Sequence, residues 1–558
     1  MTESSPSPNV PHGLPNRAEV HAVNQSFSFY ERVGLFVLLC VGIGSFLGFL
    51  WAVNRALLVE IPASGGILVE GIVGTPRFIN PILALSDADR DLSALIYSGL
   101  MRTSPDGTLV PDLASGYQVE NEGKTYTFTL RDAIFWHDGT PLTADDVVYT
   151  IERALDPAIK SPRRANWEGV TVAKEGTKTI SFTLKQPYAS FLENMTMGIL
   201  PKHKWSAFDA ESFPFSPLNT RPIGSGPYTV EKVKTDSNGI PVAYELSPFG
   251  QAANEQAKVD ITILFFDTND SLVGALRNGT IESAAALSPS DARTLANEGY
   301  RVITAPLPRI FAVFVNQSQA PIFTHKEVRE ALSLSAPRTS IVESVLNGYG
   351  TPIDGPFPPG ALGYASSSIS DHKTAEARAL LEKAGWELGP DGIRSRKTKA
   401  GTETLSFTLE TSNVPELKAA AEALKNAWAE LGIAVKPQYY EESDLKNLVI
   451  RPRKYEALLF GEVVGRNPDP FSFWHSSQRL DPGLNIALYT NTSVDSILTE
   501  ARTLFDASAR EEKFHLFRNT IKADTPAVFL YAPSFIYVVP GTLEGVTLPP
   551  ITVSSDRF

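Results

Sequence analysis

Apolar and polar residues alternate in the stretch from residue 117 to residue 149. Tyr126, Phe128 and Leu130 are separated by threonines, so one face of a strand would be apolar and the other polar. Asp138-Gly139 then provides a turn signal. The pattern therefore predicts a strand that ends in a turn.

A helix is predicted directly after this turn. Thr143 and Asp146 have the spacing of a capping box, in which each side chain bonds the backbone N–H of the other residue. Further along the chain, strands alternate with helices, which is typical of a sheet covered by helices. The predicted strands are 177–185, 311–316, 405–409, 433–439 and 457–460, and the predicted helices include 374–384, 415–431 and 494–520.

One apolar segment near the N-terminus is long enough to cross a membrane. Val33–Val53 contains no charged residue, and its 21 residues would form a helix of about 31 Å, which matches a hydrocarbon core of about 30 Å. We expect an uncleaved anchor. A cleaved signal peptide and lipidation of Cys40 stay open as alternatives. Residues 1–32, rich in Ser, Pro and Asn, predict a disordered tail.

Composition narrows the function classes. The chain has 558 residues and a formal charge of −12, from 62 acidic and 50 basic residues without a large basic block, which argues against nucleic acid as a partner. Cys40 is the single cysteine, and the eight histidines show no metal-binding spacing, so we expect neither a cofactor nor a protein-built metal site. The motifs of serine hydrolases, zinc proteases and P-loop enzymes are also missing, which favours a binding protein over an enzyme.

Two motifs carry a resemblance to a known family. The run from Phe128 to Val147, with Trp136, Asp138-Gly139 and Pro141 at fixed positions, resembles the signature of the extracellular solute-binding protein family 5. These proteins are the peptide- and nickel-binding receptors of ATP-driven importers. Gly224-Ser-Gly226-Pro-Tyr228 resembles a second hallmark of the family, and the likeness extends over about residues 66–553.

The resemblance implies an α/β fold of the periplasmic-binding-protein-like type II (cluster C), with two large lobes and an extra subdomain. A transmembrane helix would precede these domains. The implied division is a tail at 1–32, an anchor at 33–53, lobe I at 66–97, 218–305 and 511–558, subdomain II at 98–217 and lobe III at 306–510.

The same resemblance implies a function. We expect a membrane-anchored, extracytoplasmic, monomeric receptor of an ABC importer, which closes its lobes on an oligopeptide and delivers it to permease subunits. Residues 33–53 would contact the lipid bilayer. A receptor for an anionic solute or a metal chelate, and a ligand sensor in signalling, are the alternatives.

Candidate ligand contacts follow from alignment with the family pattern. Arg466 lies where peptide-binding relatives carry an aspartate that bonds the α-ammonium of the peptide, and Glu462 lies where they carry tryptophan. Arg466 would either bind a carboxylate or phosphate or serve a structural role. The change would either abolish recognition of the free amine or leave Glu462, Glu441 or Asp87 to supply the missing carboxylate. The full set of candidates is Leu85, Ser86, Asp87, Phe311, Glu441, Glu462, Arg466, Asn467 and Asp469.

Overall fold

The computed structural model describes residues 26–57, 66–250, 259–363, 373–399, 401–541, 543 and 545–558. Contacts divide the chain into an N-terminal unit, which ends at Ala63, and a body, which begins at Ser64. Most of the predicted disordered tail, residues 1–25, lies outside the described residues.

The N-terminal unit contains one long apolar helix. Helix α1 spans Phe29–Leu57, so it extends beyond both ends of the predicted segment. Its 29 residues correspond to about 44 Å. By length and composition, the part from Phe29 to Arg55 can span a membrane.

The body begins with a strand and a capped helix. Strand β1 is Ile67–Val73 and helix α2 is Asp87–Ile96. The Ser86 hydroxyl accepts a hydrogen bond from the Asp89 N–H, and Asp89 in turn accepts from the Ser86 N–H, so α2 starts with a capping box.

The next region is built around a four-stranded antiparallel sheet in the order β4-β5-β7-β6. Tyr126, Phe128 and Leu130 are buried on one face of β5, as the alternation predicts. The Thr143 N–H donates to the Asp146 carboxylate at 2.9 Å, which confirms the predicted helix start. The elements are β2 Met101–Thr103, β3 Leu109–Pro111, β4 Ala114–Glu120, β5 Thr125–Leu130, α3 Ala144–Leu155, α4 Arg164–Trp167, β6 Val170–Lys174, β7 Thr179–Leu184 and α5 Lys202–Trp205.

The chain then returns to complete the sheet of the first lobe. Strand β1 lies between β10 and β11, both parallel to it, and β9 and β8 extend the sheet on one side. The four-stranded sheet and this lobe share one apolar core. The elements are β8 Tyr228–Thr235, β9 Pro241–Pro248, β10 Asp260–Phe266, α6 Asn269–Arg277, β11 Ser283–Ala285, α7 Pro289–Asn297 and β12 Arg301–Pro306.

Two glycines allow the backbone to approach α2 closely. A Cβ atom on Gly224 would lie 1.8 Å from the carbonyl oxygen of Ile96, and one on Gly226 would lie 2.5 Å from the carbonyl carbon. The Gly226 N–H donates to that same carbonyl at 2.8 Å. The requirement is space rather than backbone conformation, because neither glycine has a positive φ.

The second lobe contains a sheet with an apolar core on each face. Strands β19, β18, β20 and β13 follow each other in this sheet. The elements are β13 Arg309–Val315, α8 Lys326–Leu334, α9 Arg338–Ser344, β14 Gly350–Pro352, α10 Thr374–Lys383, β15 Glu387–Leu388, β16 Arg394–Thr398, β17 Gly401–Thr404, β18 Ser406–Ser412, α11 Pro415–Ala429, β19 Ala434–Tyr440, α12 Glu442–Asp444, a π-helical turn Leu445–Ile450, β20 Ala457–Val463, α13 Phe471–Trp474, α14 Thr492–Thr503 and α15 Ala507–Asp524.

One strand belongs to both lobes. Strand β21, Ala527–Val539, pairs with β13 through its first half and with β11 and β12 through its second half. The chain crosses between the lobes at Leu307, between β12 and β13, and at Pro533, within β21. The Leu307 N–H donates to the Pro533 carbonyl at 3.0 Å, so the two crossovers lie side by side.

The predicted domain boundary at residues 510 and 511 falls inside helix α15. Phe514, Phe517 and Ile521 of α15 are buried in a core of the second lobe. Helix α15 therefore belongs to the second lobe, and the chain returns to the first lobe only at Pro533.

The C-terminal turn is held by a buried ion cluster. The Arg557 guanidinium, whose side chain is 1% exposed, lies 2.5 Å from Glu70 of β1 and 2.7 Å from Asp91 of α2. Tyr537 of β21 donates its hydroxyl to Glu70 at 2.8 Å. Burial by itself would lower the pKa of Arg557, but Asp91 and Glu70 raise it above its usual value, so the arginine stays charged.

Glu462 is buried without such compensation. It lies on β20 opposite Ile310, which is part of an apolar core of the second lobe, and its residue exposure is 3%. Neither carboxylate oxygen has a hydrogen-bond partner among the described residues. Burial raises the pKa of Glu462 well above its usual value, so folding favours the protonated form of this side chain.

Arg557→Met should destabilise the body by about 3–5 kcal/mol, because two buried carboxylates would lose their cation. Urea unfolding of the full chain in detergent measures the effect. Arg277→Met is the matched control, since it breaks an exposed pair with Glu298 and should cost at most about 1 kcal/mol. Equal midpoints for the two variants would show that the cluster does not stabilise the fold.

Glu462→Gln should stabilise the body at neutral pH and have little effect near pH 4. The folded state holds a proton that the unfolded carboxyl, with its usual pKa of 4.5, loses as pH rises. Stability of the native protein should therefore fall by about 1.4 kcal/mol per pH unit between the unfolded and folded pKa values.

Urea midpoints at several pH values test this expectation. Glu231→Gln replaces an exposed glutamate of β8 and should leave the midpoint unchanged throughout. A pH-independent difference between the native protein and Glu462→Gln would mean that Glu462 is ionised in the folded state.

Candidate functional site

A cavity of about 310 Å³ lies between the four-stranded sheet and the second lobe. Tyr117 and Val119 of β4 and Tyr126 of β5 form one wall, and Phe505, which precedes α15, lies on the other side. The Tyr117 ring stacks on Phe128 at a centroid distance of 5.3 Å, so the core beneath holds this wall in place. Aromatic residues from both the four-stranded sheet and the second lobe therefore bound the cavity.

Several polar side chains also line this cavity, among them Asn467, Arg510 and Glu193. Asn467 follows β20, Arg510 lies in the first turn of α15, and Glu193 lies in the 3-10 segment Ala189–Thr196. Burial raises the pKa of Glu193, although Arg466 and Arg510 oppose the shift. The cavity therefore combines apolar walls with one acidic and one basic group, a composition typical of sites for small polar ligands.

A larger depression of about 550 Å³ lies on the outside of the second lobe. Its main polar groups already have partners, since the Arg394 guanidinium donates to the Leu431 and Trp386 carbonyls, each at 2.7 Å. Arg378 donates to the Glu430 carbonyl at 3.2 Å. We therefore take the smaller cavity, which contacts both sides of the cleft, as the candidate site.

The predicted contacts before α2 do not line the candidate cavity. Leu85, Ser86 and Asp87 are exposed. Ser86 caps α2, and Asp87 forms an exposed ion pair with Arg90 at 2.5 Å. Their described contacts are those of a helix start.

Two further candidates also lie away from the cavity lining. The Phe311 ring stacks on Tyr531 at 5.0 Å and covers Gly461 on the neighbouring strand. Glu441 is exposed and accepts a hydrogen bond from the Asn413 amide. Glu462 is enclosed in the second lobe, as described above, and is not part of the cavity lining.

Arg466 is engaged by the chain itself. Its guanidinium forms an ion pair with Asp556 of the C-terminal turn and donates to the Thr103 hydroxyl at 2.6 Å. Burial raises the pKa of Asp556, and Arg466 opposes that rise. The positive charge predicted to face a ligand is thus compensated by an aspartate 90 positions away in the chain.

Asp469 is likewise paired within the chain. Arg502 of α14 donates to both oxygens of Asp469, with the shortest distance at 2.5 Å. The same guanidinium lies 3.9 Å from the ring centre of Phe471 and 5.5 Å from that of Tyr188. Asp469 therefore positions Arg502 near the boundary with the four-stranded sheet. Of the nine predicted contacts, Asn467 is the one that lines the cavity.

Sequence reasoning missed Glu193 and Arg510. Arg510 is followed by Glu511 and Glu512, a run that looks like the solvated face of a helix. Glu193 lies in a segment without regular periodicity. The residues next to Glu193 and Arg510 in the sequence do not indicate a binding site, because their neighbours in the cavity come from distant parts of the chain.

The described residues contain no group of three or more His, Cys, Asp or Glu side chains that could hold a metal ion. The prediction of a site without a protein-bound cofactor remains a prediction.

The chain is similar to several proteins of known sequence and structure. The oligopeptide-binding protein AppA of Bacillus subtilis is 27% identical over 514 residues, which cover 88% of this chain and 90% of AppA. The structure of AppA with a nonapeptide has a TM-score of 0.67 at 26% identity, covering 89% of this chain and 99% of AppA. NikZ of Campylobacter jejuni, solved with Ni(L-His), has a TM-score of 0.67 at 25% identity, covering 87% of this chain and 96% of NikZ.

These likenesses confirm the predicted α/β fold of periplasmic binding proteins and the expectation of a binding protein rather than an enzyme. The family model of the bacterial extracellular solute-binding proteins, family 5, matches residues 108–481. That match spans more than half of the chain. The protein therefore belongs to family 5 of the bacterial extracellular solute-binding proteins.

Proposed function

We propose that this protein is an extracytoplasmic receptor that captures short peptides in the cavity between its four-stranded sheet and its second lobe and delivers them to a membrane permease. The observation that carries the proposal is the cavity itself, which is lined by residues from both sides of the cleft. A ligand in that cavity would contact both the four-stranded sheet and the second lobe. Its binding would therefore favour the closed arrangement of a hinge-type switch.

Peptides are the ligand class that the relatives support, since AppA is an oligopeptide-binding protein. An extended nonapeptide is about 30 Å long, and a cavity of about 310 Å³ matches a shorter ligand better. We therefore propose a ligand of two or three residues. A metal chelate such as the Ni(L-His) of NikZ is the rival ligand of similar size.

Helix α1 supports attachment to the membrane. It has the length and composition of a membrane-spanning segment, and it directly precedes the binding body. Attachment would keep the receptor at high effective concentration near its permease. The permease as partner, the monomeric state and the lack of nucleic-acid binding stay predictions.

Purified full-length protein should retain short peptides, which mass spectrometry after denaturation would identify. Asn467→Trp should abolish retention, because the indole would fill the cavity. Leu388→Trp is the matched control, since it places the same side chain in the outer depression and should leave retention unchanged. Loss of peptides in Leu388→Trp alone, or retention of a metal chelate or sugar without any peptide, would overturn the assignment of the site or of the ligand.

The mature protein should keep α1 and stay in the membrane fraction after an alkaline wash. Leu38→Arg combined with Leu47→Arg should release it, because each arginine near the middle of a spanning helix costs about 2.5–3.5 kcal/mol. Leu38→Ile with Leu47→Ile is the conservative control. A mature mass that lacks α1 would show that the helix is a cleaved signal peptide.

A further inference from the structure

The turn that joins α14 to α15 in the second lobe contacts the region of the four-stranded sheet directly. Arg502 lies in the last turn of α14, and Phe505 follows it by three positions. Each of these side chains lies against a residue on the opposite side of the cleft, Arg502 against Tyr188 and Phe505 against Gly123. We call this group of four residues the latch.

The Phe505 ring occupies the space beside Gly123 that a side chain would need. A Cβ atom on Gly123 would lie 2.0 Å from the nearest ring carbon of Phe505. Gly123 ends the 3-10 turn Asn121–Gly123 between β4 and β5, and it is buried although Glu122 and Lys124 on either side are exposed. The ring from the second lobe therefore covers this glycine.

Arg502 lies between aromatic rings from the two sides of the cleft. Its guanidinium is 3.9 Å from the ring centre of Phe471 and 5.5 Å from that of Tyr188, which packs against the core beneath the four-stranded sheet. Asp469 holds the guanidinium in this position by accepting hydrogen bonds from it. Burial raises the pKa of Tyr188 to about 12, and Asp469 adds to the rise, as expected for a phenol enclosed between the two sides.

These contacts favour the closed arrangement of the lobes. Opening would return part of the Phe505 ring to water, and it would separate Arg502 from one of its two aromatic partners. Both losses come from groups of the protein itself. They therefore oppose opening whether or not the cavity holds a ligand.

We propose that the latch keeps the two lobes closed in the ligand-free receptor, so that a ligand enters only after the latch has opened. The balance between the two arrangements is then set before any ligand binds, and a ligand adds to closure rather than causing it. A weakened latch should raise the population of open molecules. The proposal concerns the protein without a ligand, so its failure would leave the proposed capture of peptides untouched.

Pulsed electron paramagnetic resonance on the full chain in detergent measures the distance between the lobes. Spin labels are attached at Glu168→Cys, beside the four-stranded sheet, and at Lys397→Cys in the second lobe, both exposed positions. Cys40→Ser removes the single native cysteine. Carried ligand is removed by unfolding in urea and refolding, and mass spectrometry checks that none remains.

The labelled protein with an intact latch should give one predominant distance. Phe505→Ala should add the distance of the open arrangement and raise the ratio of open to closed molecules about tenfold, because only part of the ring is withdrawn from water in the closed arrangement. Phe215→Ala is the matched control, since it removes a phenylalanine ring that is 85% exposed, and it should leave the distances unchanged.

Gly123→Asn tests the same contact from the opposite side. The variant adds a side chain where the Phe505 ring lies, and asparagine tolerates the positive φ of 83° at this position better than most residues. It should open the lobes when Phe505 is present and have no further effect in Phe505→Ala. Gly239→Asn is its control, because Gly239 has a φ of 81° but no atom of the described residues within 4 Å of its Cβ position.

Equal distances in the native protein, Phe505→Ala and Gly123→Asn would overturn the latch. A ligand-free native protein that is mainly open would overturn it as well. If Gly123→Asn has the same effect with and without the Phe505 ring, the cause is strain in the turn rather than a contact across the cleft, which also contradicts the proposal.

Discussion

The shared strand β21 is the constraint on which the arrangement of the body depends. Its first half completes the sheet of the second lobe and its second half completes the sheet of the first. Neither lobe can satisfy its backbone hydrogen bonds without this strand. Because the other crossover is bonded to the middle of β21, through Leu307 and Pro533, the two chain connections between the lobes lie side by side.

Ion pairs within the protein lie close to the cavity and neutralise several charged side chains there. Arg466 connects the loop after β20 to Thr103 and to the C-terminal turn, and Arg502 extends from α14 toward Tyr188. Each pair removes a charge that would otherwise be available to a ligand. Under the proposed function, a ligand would therefore contact other polar groups, within a space bounded by aromatic rings.

Local structure was predictable where the cause is local. The alternation around Phe128 and the cap formed by Thr143 and Asp146 depend on residues close in sequence, and both are present. The sequence pattern does not predict that β21 is one continuous strand, because Pro533-Ser534 resembles a break between two strands. The predicted boundary at residue 510 falls within α15 for a related reason, since the helical pattern does not indicate which core the helix joins.

The candidate site was less predictable than the fold. Resemblance to relatives directed attention to Arg466, but its partner Asp556 lies far along the chain, and no periodicity links the two. Glu193 and Arg510 come from opposite sides of the cleft and look like ordinary polar residues in their own segments. A binding site formed by residues from two distant parts of the chain has no sequence motif in either part alone.

The C-terminal turn places two adjacent residues in contact with different parts of the protein. Arg557 is fixed to Glu70 and Asp91 in the interior of the first lobe, whereas Asp556 contacts Arg466 on the second. The outer pair is more accessible to solvent than the inner cluster and is therefore screened more strongly by dissolved ions. The turn thus acts as a third, electrostatic connection between the lobes, which should weaken as the ionic strength of the surrounding medium rises.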